Sequence, residues 1–130
     1  MRLQYQMSEG DGYLIAKVTG PWELDAVQEL IDTLAEDCKA RGCKKLLVDC
    51  LDVGIEGQIL DFERFLIGRS VGSKLRHIKV AGLFPHHQIN KFGEAIAISE
   101  GAEALVTSER DEAIRWLTDG PADQAAAERI

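Results

Sequence analysis

Apolar and polar residues alternate at the start of the chain. Leu3, Tyr5 and Met7 stand against Gln4, Gln6 and Ser8, the period-two pattern of a half-buried strand. Glu9-Gly10-Asp11-Gly12 forms a turn of residues that tolerate positive φ, and Tyr13 to Val18 reads as a second strand. The two strands are expected to pair as an antiparallel hairpin, stopped by Gly20-Pro21. The period then lengthens. Between Asp25 and Arg41, Val27, Leu30, Ile31, Leu34 and Cys38 form a helical stripe, with acids at its start and Lys39 and Arg41 at its end. Gly42 follows as the natural residue to leave that helix.

The run from Cys43 to Asp49 predicts a third strand, its continuous Leu46-Leu47-Val48 implying burial on both faces. A second helix is predicted from about Gln58 to Val71, closed by Gly68 to Gly72, and a fourth strand from His77 to Phe84, ended by Pro85. A third helix is expected over His87 to Ser99, then a short strand from Ala104 to Val106. Ser108 is expected to cap the last helix, with Asp111 at its third position. The predicted order is β-β-α-β-α-β-α-β-α. Strands alternating with helices over short connections imply an α/β fold with a mostly parallel sheet and right-handed crossovers. One domain is expected over residues 1–118, with residues 119–130 a flexible tail.

Composition narrows the possible partners. The 130 residues can bury a core without disulfides or metals. The net charge is −7, with 15 basic and 22 acidic residues, which disfavours nucleic acid and anionic membranes. No stretch is long and apolar enough for stable membrane insertion, and the N-terminus lacks the apolar core of a signal peptide. Cys38, Cys43 and Cys50 are an odd set, so reduced thiols in a cytoplasmic protein are expected. A Cys38–Cys43 bridge would join a helix end to a strand start and is not expected.

The element order, the strand and loop LLVDCLDVGIEG, the Val80-Ala81-Gly82 strand, the helix ending GEAIAISEG and the closing SERDEAIRWL together resemble the STAS domain. Within it they resemble the SpoIIAA-like, STAS/SEC14-type branch of small bacterial proteins, over about Leu3 to Leu117. The resemblance implies a regulatory, protein-interaction module related to anti-sigma-factor antagonists. Those proteins are switched by phosphorylation of a serine or threonine at the start of the helix after the third strand. Here Leu51 to Gln58 contains no hydroxyl, so that switch is not expected; Ser70 and Ser73 remain open to modification. Asp52 and Glu56 could imitate a phosphorylated state, though acids near a helix start are common for dipole reasons.

The candidate recognition surface is a rim of Trp22, Asp49, Cys50, Asp52, Glu56, His86 and His87, which neighbouring third and fourth strands would bring close. Carboxylate, thiol and imidazole could form a metal or acid–base set, the second alternative function. No two of them lie at a recognised ligand spacing, and the acids beside Cys50 would raise its pKa. Gly54-Ile55-Glu56-Gly57 matches neither a dinucleotide nor a P-loop fingerprint. No catalytic residue, metal or cofactor is therefore expected. The second predicted helix carries more apolar surface than one sheet face requires: Ile59, Phe62, Phe65 and Leu66, beside Leu60 and Ile67. It is read as a homodimer interface or, in the first alternative function, as the groove of a carrier or sensor of an apolar small molecule or lipid.

Overall fold

The computed structural model describes residues 2–118; the tail expected at 119–130 lies outside the described residues. The elements are β1 (Gln4–Glu9), β2 (Leu14–Pro21), α1 (Leu24–Arg41), β3 (Lys45–Asp49), β4 (Val53–Gly54), α2 (Asp61–Lys74), β5 (Lys79–Leu83), α3 (Phe92–Ser99), β6 (Glu103–Thr107) and α4 (Arg110–Thr118). A single 3-10 turn, His86–Gln88, stands between β5 and α3. The sheet runs β1-β2-β3-β5-β6, antiparallel only at the β1–β2 hairpin. This is the α/β architecture expected from the periodicities.

Strand parity decides which layer each side chain enters, because successive side chains point to opposite faces. Ala16, Leu46 and Val80 face α1 and α2, where they join Val27, Ile31, Leu34 and Leu75 in the larger core. Leu47, Ala81 and Leu83 face α4 and pack on Ala113 and Leu117. The LLV run is thus buried on both sides. Lys79 adds a polar tie to α4: its amine donates to the Trp116 carbonyl and lies 4.5 Å from that indole's centroid.

Four elements differ in local detail from the sequence reading. β2 continues through Gly20-Pro21 because the two-residue β4, which periodicity cannot reveal, pairs with it in parallel. Gly20 takes φ +112, and a Cβ there would lie 2.4 Å from the Arg2 carbonyl oxygen, so the segment leading into β1 can pass only a glycine. α2 begins at Asp61 rather than Gln58, with the Glu63 carboxylate accepting the Leu60 N–H at 3.0 Å. It runs on through Gly68 and Gly72, which therefore do not close it.

The third predicted helix is broken. Ile89 is extended, Lys91 has φ +67, and the Asn90 side chain accepts the Phe92 N–H at 3.0 Å, so the true helix begins only there. Among the described residues, Ser108 accepts no backbone N–H of α4; Glu109 stands at the helix start, its carbonyl accepting the Ala113 N–H at 3.1 Å. The Thr107 hydroxyl accepts the Glu109 N–H at 3.1 Å and donates to Glu112.

Candidate functional site

The end of β3 sends its side chains in opposite directions. Asp49 has the parity of Leu47 and turns toward α4, while Cys50 turns toward α1. Asp49 is only 2% exposed, pairs with Arg110 at the start of α4, lies 3.8 Å from Lys17, and accepts the Leu51 N–H at 3.1 Å. Burial opposes its charge, but Arg110, the Leu51 N–H and Lys17 outweigh burial and hold the carboxyl below its ordinary value. Asp49 thus fastens β2, β3 and α4 together. Lys17 and Arg110 were not singled out in the sequence, where nothing marks them as partners 32 and 61 residues from Asp49.

A folded-state carboxyl pKa below the unfolded value stabilises the fold above about pH 4 and loses that contribution as pH falls through the folded value. Asp49→Asn is therefore expected to lower stability by about 2 kcal/mol at pH 7, the scale of hydrogen bonds to a charged group. The deficit should shrink toward pH 3, as urea unfolding at the two pH values would show. An equal deficit at both would mean that the carboxylate charge contributes nothing.

The remaining rim residues do not converge on one chemical group. Cys50 is buried, and desolvation first, then the Asp49 charge, push its thiol up to about 12, far from a nucleophile's range. Asp52 is exposed on the Lys17 ammonium at 2.7 Å, and Glu56, His86 and His87 are exposed. Among the described residues, no three His, Cys, Asp or Glu side chains are grouped to hold a metal ion. The residue of the PHHQ turn that does point inward is Gln88, which the sequence reading passed over. It is 2% exposed, its Oε1 accepts the Ile59 N–H at 2.9 Å and its Nε2 donates to the Gly57 carbonyl at 2.6 Å. Gln88 thereby pins the loop that leads into α2.

Behind this rim, on the α1 side of the sheet, lies an apolar cavity of about 150 Å³. Val18, Val48 and Val80 form its floor, Leu30 and Ile31 of α1 one wall, and Ile67 and Val71 of α2 the other. Trp22, Cys50 and Phe84 close the end under the strand tips, and Gln88, Lys91 and Glu94 border it near α3. Trp22 is held there by its N–H bond to Gly54 of β4 at 2.9 Å and by an edge contact with Phe84, centroids 5.9 Å apart. Its indole Nε1 is buried and has no acceptor among the described residues. Glu94, by contrast, is occupied by the Val106 N–H and by Lys91.

The apolar residues predicted to share one face of the second helix separate. Ile59 is 7% exposed and lines the cavity, whereas Phe62 and Phe65 are 66% and 38% exposed, and Leu66 is half-buried. The residues α2 buries most deeply are its glycines, Gly68 and Gly72, against α3. Their four-residue spacing, matched by Gly93 and Ala97 on α3, was the available signal for this close pairing.

No family model matches the chain, and no curated protein matches it in sequence. Among solved structures, it is similar to an uncharacterized protein of the DUF3478 family from Shewanella loihica PV-4, described as having a SpoIIAA-like fold. The match covers 89% of this chain and 93% of that one, at 18% identity and a TM-score of 0.53. At that identity the likeness speaks for the fold alone.

Proposed function

We propose that this chain, built on a SpoIIAA-like fold, is a non-catalytic binding module for a small, predominantly apolar molecule that enters between the sheet and helices α1 and α2. The observation that carries this reading is the apolar cavity of about 150 Å³, lined at one end by Trp22, whose buried indole N–H has no partner among the described residues. On a scale of ~24 cal/mol per Å³, the contacts missing across 150 Å³ are worth roughly 3–4 kcal/mol, part of which an apolar occupant would restore. A hydrogen-bond acceptor on that occupant would also satisfy Trp22, whose buried N–H carries a penalty of about 1–3 kcal/mol. The charged rim is assigned to holding the strand ends together rather than to chemistry.

Thermal unfolding in rising concentrations of benzene and n-hexanol tests the proposal, since a molecule that binds only the folded state raises the midpoint. Both should raise it, and n-hexanol should lose part of its effect in Trp22→Phe. Ala104→Leu, which extends a side chain into the cavity from β6, should abolish the shift while leaving the protein's own midpoint equal or higher. No shift with either compound, or one that survives Ala104→Leu, would overturn the reading.

A second reading, association with another copy of this chain, rests on Phe62 and Phe65, exposed one turn apart on α2. Light scattering across protein concentrations should then give a dimer that Phe62→Glu dissociates. A monomer throughout would remove this reading and leave the first intact.

A further inference from the structure

The end of α1 carries a second chemical feature, remote from the strand tips. Gly42 has φ +66 and ψ +28; its N–H bonds the Lys39 carbonyl at 3.2 Å, and the Cys43 N–H bonds the Cys38 carbonyl at 2.8 Å. This pair of bonds is the Schellman motif, which brings the residue three places before the helix end against the second residue beyond it. Those positions are ordinarily filled by two apolar side chains in contact. Here both are cysteines, Cys38 and Cys43, with Cys38 in the larger core and Cys43 packed against that core. Both are free thiols.

The two sulfurs differ in setting. Cys38 is fully buried in the larger core, while Cys43 is partly exposed, its Sγ 3.2 Å from the Lys45 carbonyl oxygen. We propose that Cys38 and Cys43 are a redox-active dithiol, with Cys43 the sulfur that meets a peroxide and Cys38 the sulfur that resolves it into an intramolecular disulfide.

The electrons balance. The Cys43 thiolate attacks one oxygen of hydrogen peroxide, the O–O bond breaks, and the departing hydroxide takes a proton to become water. Cys43 is left as a sulfenic acid. The Cys38 sulfur then gives up its proton and attacks Cys43; the S–S bond forms and the sulfenic oxygen leaves as a second water. Two thiols are oxidised by two electrons and one peroxide is reduced to two waters.

The electrostatics suit this order. The neighbouring Cys38 thiol is the largest influence on Cys43 and holds its pKa below that of an ordinary thiol, against the opposing burial. Arg41 favours the Cys43 thiolate and Asp37 opposes it; Asp37 is itself engaged by Arg41 at 2.7 Å and by the Tyr5 hydroxyl of β1 at 2.9 Å. Cys38 is held above its ordinary value, chiefly by the neighbouring Cys43 and then by burial. Cys50 lies in a separate core cluster and takes no part.

Mass spectrometry after brief exposure of the reduced protein to hydrogen peroxide tests the proposal. The chain should lose two hydrogen atoms, Cys38 and Cys43 should disappear together as a linked peptide, and dithiothreitol should restore both. Cys50 should remain open to alkylation after unfolding. In the native reduced protein, iodoacetamide should label Cys43 about tenfold faster than Cys50, given the difference in exposure and thiolate character. Its labelling midpoint should lie below the ~8.5 of a free thiol. Cys38→Ala should leave Cys43 as a sulfenic acid that dimedone captures. Should that core change prevent folding, Cys43→Ser, at the partly exposed site, should keep Cys38 reduced under the same exposure. Independent oxidation of the two cysteines, a bridge to Cys50 or to another molecule, or a bridge that forms no faster than Cys50 oxidises would overturn it.

Discussion

Gly68→Val is expected to lower stability by roughly 3 kcal/mol or more, the upper end of the range for overpacked sites. α2 and α3 meet glycine to backbone. A Cβ on Gly68 would lie 2.7 Å from the Gly93 carbonyl oxygen and 2.8 Å from the Ile96 Cβ, and neither can yield without moving α3. Gly68→Ala is the sharper comparison. At an open helical site, alanine in place of glycine stabilises by about 1 kcal/mol. Here the sign should reverse, as at Gly72, where a Cβ would come within 2.3 Å of the Glu100 Cβ. Urea unfolding of the variants measures this; a stabilising Gly68→Ala would show that the helices are not in contact. Because Gly68, Gly93 and Ala97 also line the cavity, spreading the two helices should weaken apolar-ligand binding as well.

Leu47→Ala is expected to remove about 3–4 kcal/mol, within the usual range for truncating a buried leucine. Leu47 is 0% exposed, and among the described residues α4 is the helix that covers the face it enters. Its buried neighbours there are Ala81, Leu83, Ala113 and Leu117. Nine residues of helix held by so few side chains cannot close over a lost isobutyl group without losing the Arg110–Asp49 pair at the helix start. Amide exchange should show α4 opening at lower free energy in the variant while α1 keeps its protection. Uniform loss of protection across both helices would mean that the two faces of the sheet unfold as one.

The two faces show why part of the site was legible and part was not. The Leu46-Leu47-Val48 run announced a strand buried on both sides, and that reading already implied that Asp49 and Cys50, next in line, must diverge. Grouping them as one rim ignored this alternation. The aromatic residues of α2 were visible as a surplus of apolar surface. A surplus in sequence does not say which members turn inward, however, and Ile59 entered the cavity while Phe62 faced solvent. Gln88 was missed because a glutamine in a polar turn is unremarkable until its amide is seen bridging Gly57 and Ile59. Cys38 and Cys43 were noted and set aside, since a helix end and a strand start look distant until the turn at Gly42 folds one back onto the other.

The sequence by itself determined the order of the main elements apart from β4, the parallel sheet with its antiparallel hairpin, and the identity of the buried strands. These follow from periodicity, and periodicity is a local property of the chain. It also placed Gly42 at the end of α1, because only that residue type takes a left-handed turn there freely. Tertiary structure alone decided that Asp49 faces Arg110 rather than solvent, that two glycines let α2 and α3 touch, and that a cavity opens beneath Trp22. Each of these depends on residues tens of positions apart meeting in space. A contact between distant residues is set by how layers pack and by the register of the strands, and no window of sequence contains it.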